Sequence, residues 1–145
     1  MKVERTIDIA APTERVYDTL MDPDMLDDWV TIHAGLEDAP SGDLTDGSEL
    51  TQVLKLAGRK FHVRWRVVEA DRPKRVVWEG RGPVRTRSRA IYDFEPNGDG
   101  TSFSYSNEWS MPGGPLGRVV GRGFERTSGR EAERSLERLK VLLER

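Results

Sequence analysis

The chain contains no cysteine and only two histidines among its 145 residues. Disulfides, thiolate nucleophiles and cysteine-bearing metal sites are therefore excluded, and two imidazoles alone make a poor metal set. The lack of cysteine fits a reducing compartment. No apolar stretch approaches the roughly 20 residues that a membrane span needs. The opening "MKVERTIDIAAP" has no long apolar run of the secretory-leader kind, so a cytoplasmic location is expected. Neither sign of charge dominates, since 23 Lys and Arg face 25 Asp and Glu. No global field then draws the chain to nucleic acid.

What is present is the balance of a globular chain, 36% hydrophobic and 33% charged, of a length that fits one domain over residues 1–145. Residues 2–10 alternate, with Val3, Ile7 and Ile9 on one strand face. "APTERVYDTL" predicts a helix with Pro12 in its first turn and Val16 and Leu20 on one side. "DPDMLDDW" predicts a second short helix, with Asp22 as N-cap and Pro23 at the first position. Six strands follow: "VTIHAGLE", "ELTQVLKLA", "KFHVRWRVVEA", "RVVWEGR", "VRTRSRAIYDFEP" and "TSFSYSNEWSM". The turn-rich "DAPSGDLTDGS" and the breaks "GR", "DRPK", "GP" and "NGDG" separate them, and such short breaks imply antiparallel hairpins. A long C-terminal helix closes an α+β chain.

The stretch "IDIAAPTERVYDTLMDPDMLDDW", Ile7 to Trp29, resembles the opening of the START-like (SRPBCC) superfamily: strand, Ala-Pro, helix with Val16 beside Tyr17, then Asp-Pro and Trp29. The layout resembles most closely its polyketide cyclase/dehydrase and lipid-transport branch. The resemblance implies a helix-grip fold. In it, a curved seven-stranded antiparallel sheet, two short helices and a long C-terminal helix enclose a cavity. The resemblance carries no shared catalytic residue, because the superfamily hosts transporters, hormone receptors, cyclases and chaperone regulators.

Strand parity supplies the cavity wall independently. In the strand from Val84, the set Val84, Thr86, Ser88, Ala90, Tyr92 and Phe94 must face inward, because Arg85, Arg87 and Arg89 occupy the other face. Phe103, Tyr105, Asn107, Trp109 and Met111 share the inner face of the next strand. The "PNGDG" turn sets Tyr92 beside Tyr105, Ala90 beside Asn107 and Ser88 beside Trp109. Leu50, Gln52, Leu54 and Leu56 face in, as do Phe61, Val63, Trp65 and Val67, and Val76 and Trp78. Apolar bulk with sparse polar groups is the make-up of a ligand pocket. Filled core is the competing reading, and buried Gln52 and Asn107 weigh against it, because an unsatisfied amide is costly to bury.

The other motifs carry little chemistry. His62 falls on the outer face beside Arg64 and Arg66. His33 reads as a surface or rim residue, with Asp27 and Asp28 only sequence neighbours. "GRGF" lacks the third glycine and the leading strand of a dinucleotide loop. "DPDMLDDW" and "DLTDG" lack EF-hand spacing. Neither metal nor cofactor is expected. The arginine run "RGPVRTRSR" reads as cross-strand ion pairs, with Glu79 opposite Arg85 or Arg87 and Glu108 opposite Arg89. No aromatic interleaves it, so nucleic-acid stacking has no platform.

Winding residues 116–143 at 3.6 per turn puts Gly117, Gly121, Ser128, Ala132 and Ser135 on one face, with Val120 and Phe124 beside them, and then Leu136, Leu139, Leu142 and Leu143. The small half leaves room; the leucine half clamps. Gly123 lies at the edge of that face and Gly129 off it. The expected ligand cavity is thus lined by Trp29, Gln52, Leu54, Trp65, Trp78, Ser88, Tyr92, Tyr105, Asn107, Trp109, Gly117, Gly121, Phe124 and Ser128. Binding of a lipid, polyketide or aromatic molecule is the leading expectation. The alternatives are a cofactor-free cyclase or dehydratase using Tyr92, Tyr105 and Asn107, with His33 or Glu108 as further groups, and a chaperone-regulator-like module using its convex face.

Overall fold

A computed structural model describes residues 1–112 and 114–145, with the backbone alone for 114–121. The strands are β1 (Lys2–Ile9), β2 (His33–Glu37), β3 (Glu49–Leu56), β4 (Arg59–Asp71), β5 (Arg75–Arg81), β6 (Arg87–Asn97) and β7 (Gly100–Ser110). The helices are α1 (Thr13–Leu20), α2 (Leu26–Trp29) and α3 (Gly114–Leu143). All neighbours pair antiparallel in the order β1-β7-β6-β5-β4-β3-β2. The sheet curls into a half-barrel closed by α3, a helix-grip arrangement.

Local chemistry sets the boundaries. Asp22 caps the short turn before α2 by accepting from the Asp24 N–H, with Pro23 at the first position. Pro12 stands before the first turn of α1 and not inside it; its extended ψ of 154° makes it the N-cap. The β6–β7 hairpin has the expected register: Tyr92 opposite Tyr105, Ala90 opposite Asn107, Ser88 opposite Trp109.

The strand expected from Val84 begins instead at Arg87. Pro83 to Arg85 form a short helical turn, and Val84 and Arg85 both take left-handed φ, 56° and 58°. Val84 is 78% exposed, so it leaves the inward set, and Arg85 leaves the arginine stripe. The slip also moves Glu79, which faces Arg89; Arg87 faces Arg81. Glu108 does lie opposite Arg89.

The core occupies the end of the concave face near α1. Val16, Tyr17 and Leu20 of α1 meet Phe94, Phe103 and Val76 of the sheet, and Leu136, Leu139 and Leu143 of α3 close over them. The Phe94 and Phe103 rings are 5.1 Å apart. The leucine half of α3 is thus the clamp, and burial of each such side chain contributes roughly 2 kcal/mol. Gly129, off the inward face of the wheel, is nevertheless buried: the Arg5 guanidinium of β1 lies over it and pairs with Glu133 at 2.8 Å.

Candidate ligand pocket

Beyond the core, the other half of the concave face is not filled. A pocket of about 550 Å³ lies between the sheet and α3. Leu54 of β3, Trp65 of β4 and Trp78 of β5 form one wall, the two indoles meeting edge to face at 6.2 Å. Trp29, at the end of α2, closes the side nearest α1. Phe124 and Ser128 of α3 form the roof, and Phe124 packs on Phe61 at 6.1 Å and on Trp109 at 6.0 Å. Gly117 and Gly121 lie outside the residues whose side chains are described.

The polar groups sit on two walls and behave differently. On the β6–β7 wall, Ser88 donates to Asn107 Oδ1 beside the Tyr92 and Tyr105 rings, whose centroids are 6.0 Å apart. Burial pushes both phenols above their ordinary pKa. The neighbouring Tyr105 adds to the rise at Tyr92, while the Asn107 amide partly offsets it at Tyr105. Both hydroxyls therefore stay protonated and can donate. All four residues line the pocket, and no protein group bonds the Tyr92 hydroxyl among the described residues.

On the facing wall Gln52 is already held at both ends of its amide. The Trp65 indole N–H donates to Gln52 Oε1 at 3.0 Å. The Gln52 amide nitrogen then faces His33 Nδ1, also at 3.0 Å. An indole can only donate, so the amide orientation is fixed and Nδ1 must accept. The ring hydrogen is left on Nε2, 3.6 Å from Asp27 Oδ1. His33 is no rim residue: its side chain is 3% exposed. Burial lowers its pKa, and Asp27 opposes that only in part. It stands behind Gln52 and is absent from the pocket wall, so no base reaches the pocket from it.

Sequence reasoning misses two contributors. Asp27 reaches His33 only because α2 turns back against β2, so spacing alone gives no signal. Glu131 lines the pocket and takes the Thr31 hydroxyl at 2.6 Å, while Ser135 Oγ accepts the Thr31 N–H at 3.0 Å. The wheel finds Ser135 but not its acidic neighbour. The indole nitrogens of Trp29, Trp78 and Trp109 are buried without partners among the described residues. Those rings supply bulk, not polarity. His62 lies outside the pocket, 58% exposed and 3.4 Å from Glu37. Among the described residues no three His, Asp or Glu side chains gather as a metal set, and no helix is long and apolar enough to cross a membrane.

Comparison with known proteins agrees with this architecture. An uncharacterized protein of Mycobacterium tuberculosis is 25% identical over 125 residues, covering 85% of this chain and 87% of its own. A Thermus thermophilus protein of known structure superposes with a TM-score of 0.81 at 21% identity, over 97% of this chain and 95% of the other. A Chromobacterium violaceum protein gives 0.77 at 19% identity, over 99% and 97%. DynU16, a protein from the dynemicin biosynthetic locus, gives 0.70 at 17% identity, over 99% of this chain and 47% of its own. The family model for polyketide cyclase / dehydrase and lipid transport matches residues 1–144, and the chain belongs to that family.

Proposed function

We propose that the protein binds a small, predominantly apolar molecule of lipid, polyketide or aromatic type between the sheet and α3. The observation that carries this reading is the pocket of about 550 Å³, apolar over most of its lining with a few polar groups. That volume is within the range of small-molecule sites, roughly 300–1,000 Å³. Because Gln52 is already engaged by His33 and Trp65, a ligand finds its hydrogen bonds at Tyr92, Tyr105 and Asn107. Those groups favour a carbonyl or similar acceptor on an otherwise apolar body.

A second reading, a cofactor-free cyclase or dehydratase, draws on the same protonated tyrosines, which can donate to an oxygen that gains charge during reaction. The test is native mass spectrometry of the freshly purified protein, together with uptake of a fluorescent apolar probe by the wild type and by Ala132→Phe. A co-purified apolar molecule, and probe uptake abolished by Ala132→Phe without loss of fold, support binding. Uptake unaffected by that substitution sinks it. Tyr92→Phe with Tyr105→Phe separates the two readings: a binder loses affinity, whereas an enzyme loses turnover on a bound substrate.

A further inference from the structure

The antiparallel sheet brings the β3–β4 turn, the β5–β6 connection and the end of β7 to one pole of the molecule. The pocket reaches the surface there, since exposed Arg59, Lys60, Pro83 and Val84 are among its lining residues. This pole has a charge pattern that the net charge of -2 conceals. Residues 55–61, 80–92, 109–112 and 122–124 contain no Asp or Glu. They carry Lys55, Arg59, Lys60, Arg81, Arg85, Arg87, Arg89 and Arg122, all exposed. Arg89 is neutralised by Glu79 at 3.4 Å. Among the described residues, Arg59, Lys60, Arg81, Arg85 and Arg87 pair with no carboxylate, and Arg81 stands directly opposite Arg87 across β5–β6. Like charges so placed oppose folding. At the other pole the turns mix the two signs, Asp46, Asp71 and Asp99 with Arg72 and Lys74.

A second unfavourable feature stands at the same place. Val84 holds a left-handed backbone, φ 56° and ψ 40°, that a β-branched residue rarely takes, and its side chain is 78% exposed. Half-buried Phe61 and Met111 line the same pocket. Neither the unpaired arginines nor the projecting valine helps the fold.

We infer that this pole docks on an anionic lipid bilayer, with Val84 entering the interface and the surrounding cations meeting the headgroups. Clustered Lys and Arg beside an exposed apolar tip is the chemistry that an anionic membrane surface attracts. A soluble polyanion would use the cations and leave Val84 in water. Docking in this orientation also opens the pocket toward the acyl layer. The inference goes beyond ligand binding and does not depend on it, because vesicle binding is read on protein without cargo.

Co-sedimentation with vesicles of phosphatidylcholine alone, and with about a third phosphatidylglycerol, tests it. Binding is expected to the anionic vesicles only and to weaken as salt rises. Arg59→Glu with Lys60→Glu should weaken it at least about 25-fold, at about fivefold for each of the two charges removed. Val84→Gly relaxes the backbone, so it should hold or raise the melting temperature while binding weakens several-fold. Lys74→Glu, at the other pole, should bind as the wild type does. Equal binding to both vesicle types, equal loss with Lys74→Glu, or no binding overturns the proposal. Heparin binding that ignores Val84→Gly, without vesicle binding, overturns it in favour of a soluble polyanion.

Discussion

His33 accepts a hydrogen bond from Gln52, its Nδ1 lying 3.0 Å from the amide nitrogen. The Trp65 indole holds the other end of that amide, so Gln52 cannot reverse without setting donor against donor. A proton on Nδ1 would create the same clash. The arrangement therefore selects the neutral imidazole, and burial does so too by lowering its pKa from 6.5.

A sign follows for acid stability. With a lowered pKa, the unfolded chain takes up the proton more readily than the folded one. Stability is full above 6.5 and falls as pH drops from there toward the folded value. Asp18 and Glu144 act elsewhere: Arg72 and Lys140 hold their carboxyls below 3.8 and 4.5, so their contribution is lost only in more acidic solution. Melting temperatures at pH about 7.5 and about 5 isolate the imidazole. The drop between them should shrink in His33→Gln. An equal drop in both proteins would remove His33 as its cause.

Gly80 makes room for Trp65. A Cβ there would stand 2.7 Å from the indole atoms Cε3 and Cζ3, and the ring is tied to Gln52. Gly80→Ala should cost about 1–3 kcal/mol in urea unfolding, as overpacking does. Tryptophan fluorescence should shift as the indole leaves its partner. An unchanged unfolding midpoint would mean that the ring yields freely.

Two glycines of α3 invite the opposite result. A methyl group at Gly123 would meet nothing within 4 Å, and at Gly129 only the flexible end of Arg5 would come close, at 2.7 Å. Alanine in a helix interior gains roughly 1 kcal/mol over glycine. Gly123→Ala should therefore raise the melting temperature. Gly129→Ala should raise it less, because Arg5 must move off Glu133. Destabilisation by Gly123→Ala would show that this glycine serves something other than helix stability.

The sequence makes some relationships legible and hides others for physical reasons. Tyr92 opposite Tyr105 is readable because a two-residue turn, with Gly98 at φ 62°, fixes the register of the whole hairpin. The inward parity of Leu50 to Val67 is readable because one face must be apolar. Val84 defeats the same logic, because the alternating pattern continues through a left-handed turn that spacing cannot display. His33 defeats it because its burial is set by the way α2 folds back and by pairing with β3, neither of which spacing displays. Gly129 looks idle on a helical wheel, which carries no trace of Arg5 arriving from β1.

The ties on α3 are unevenly spread. From Glu131 to Glu144 the helix is bonded on both flanks: Thr31 meets Glu131 and Ser135, Arg5 meets Glu133, and the Ala10 N–H meets Glu144. Among the described residues, the ties around Phe124 are the Lys2 N–H to Glu125 and two ring contacts. The helix is thus built in along its C-terminal half. A guest too long for the space would lift Phe124 and leave Leu136 in place. Substitutions at Phe61, Trp109 or Phe124 would then alter the space under the roof without disturbing the core.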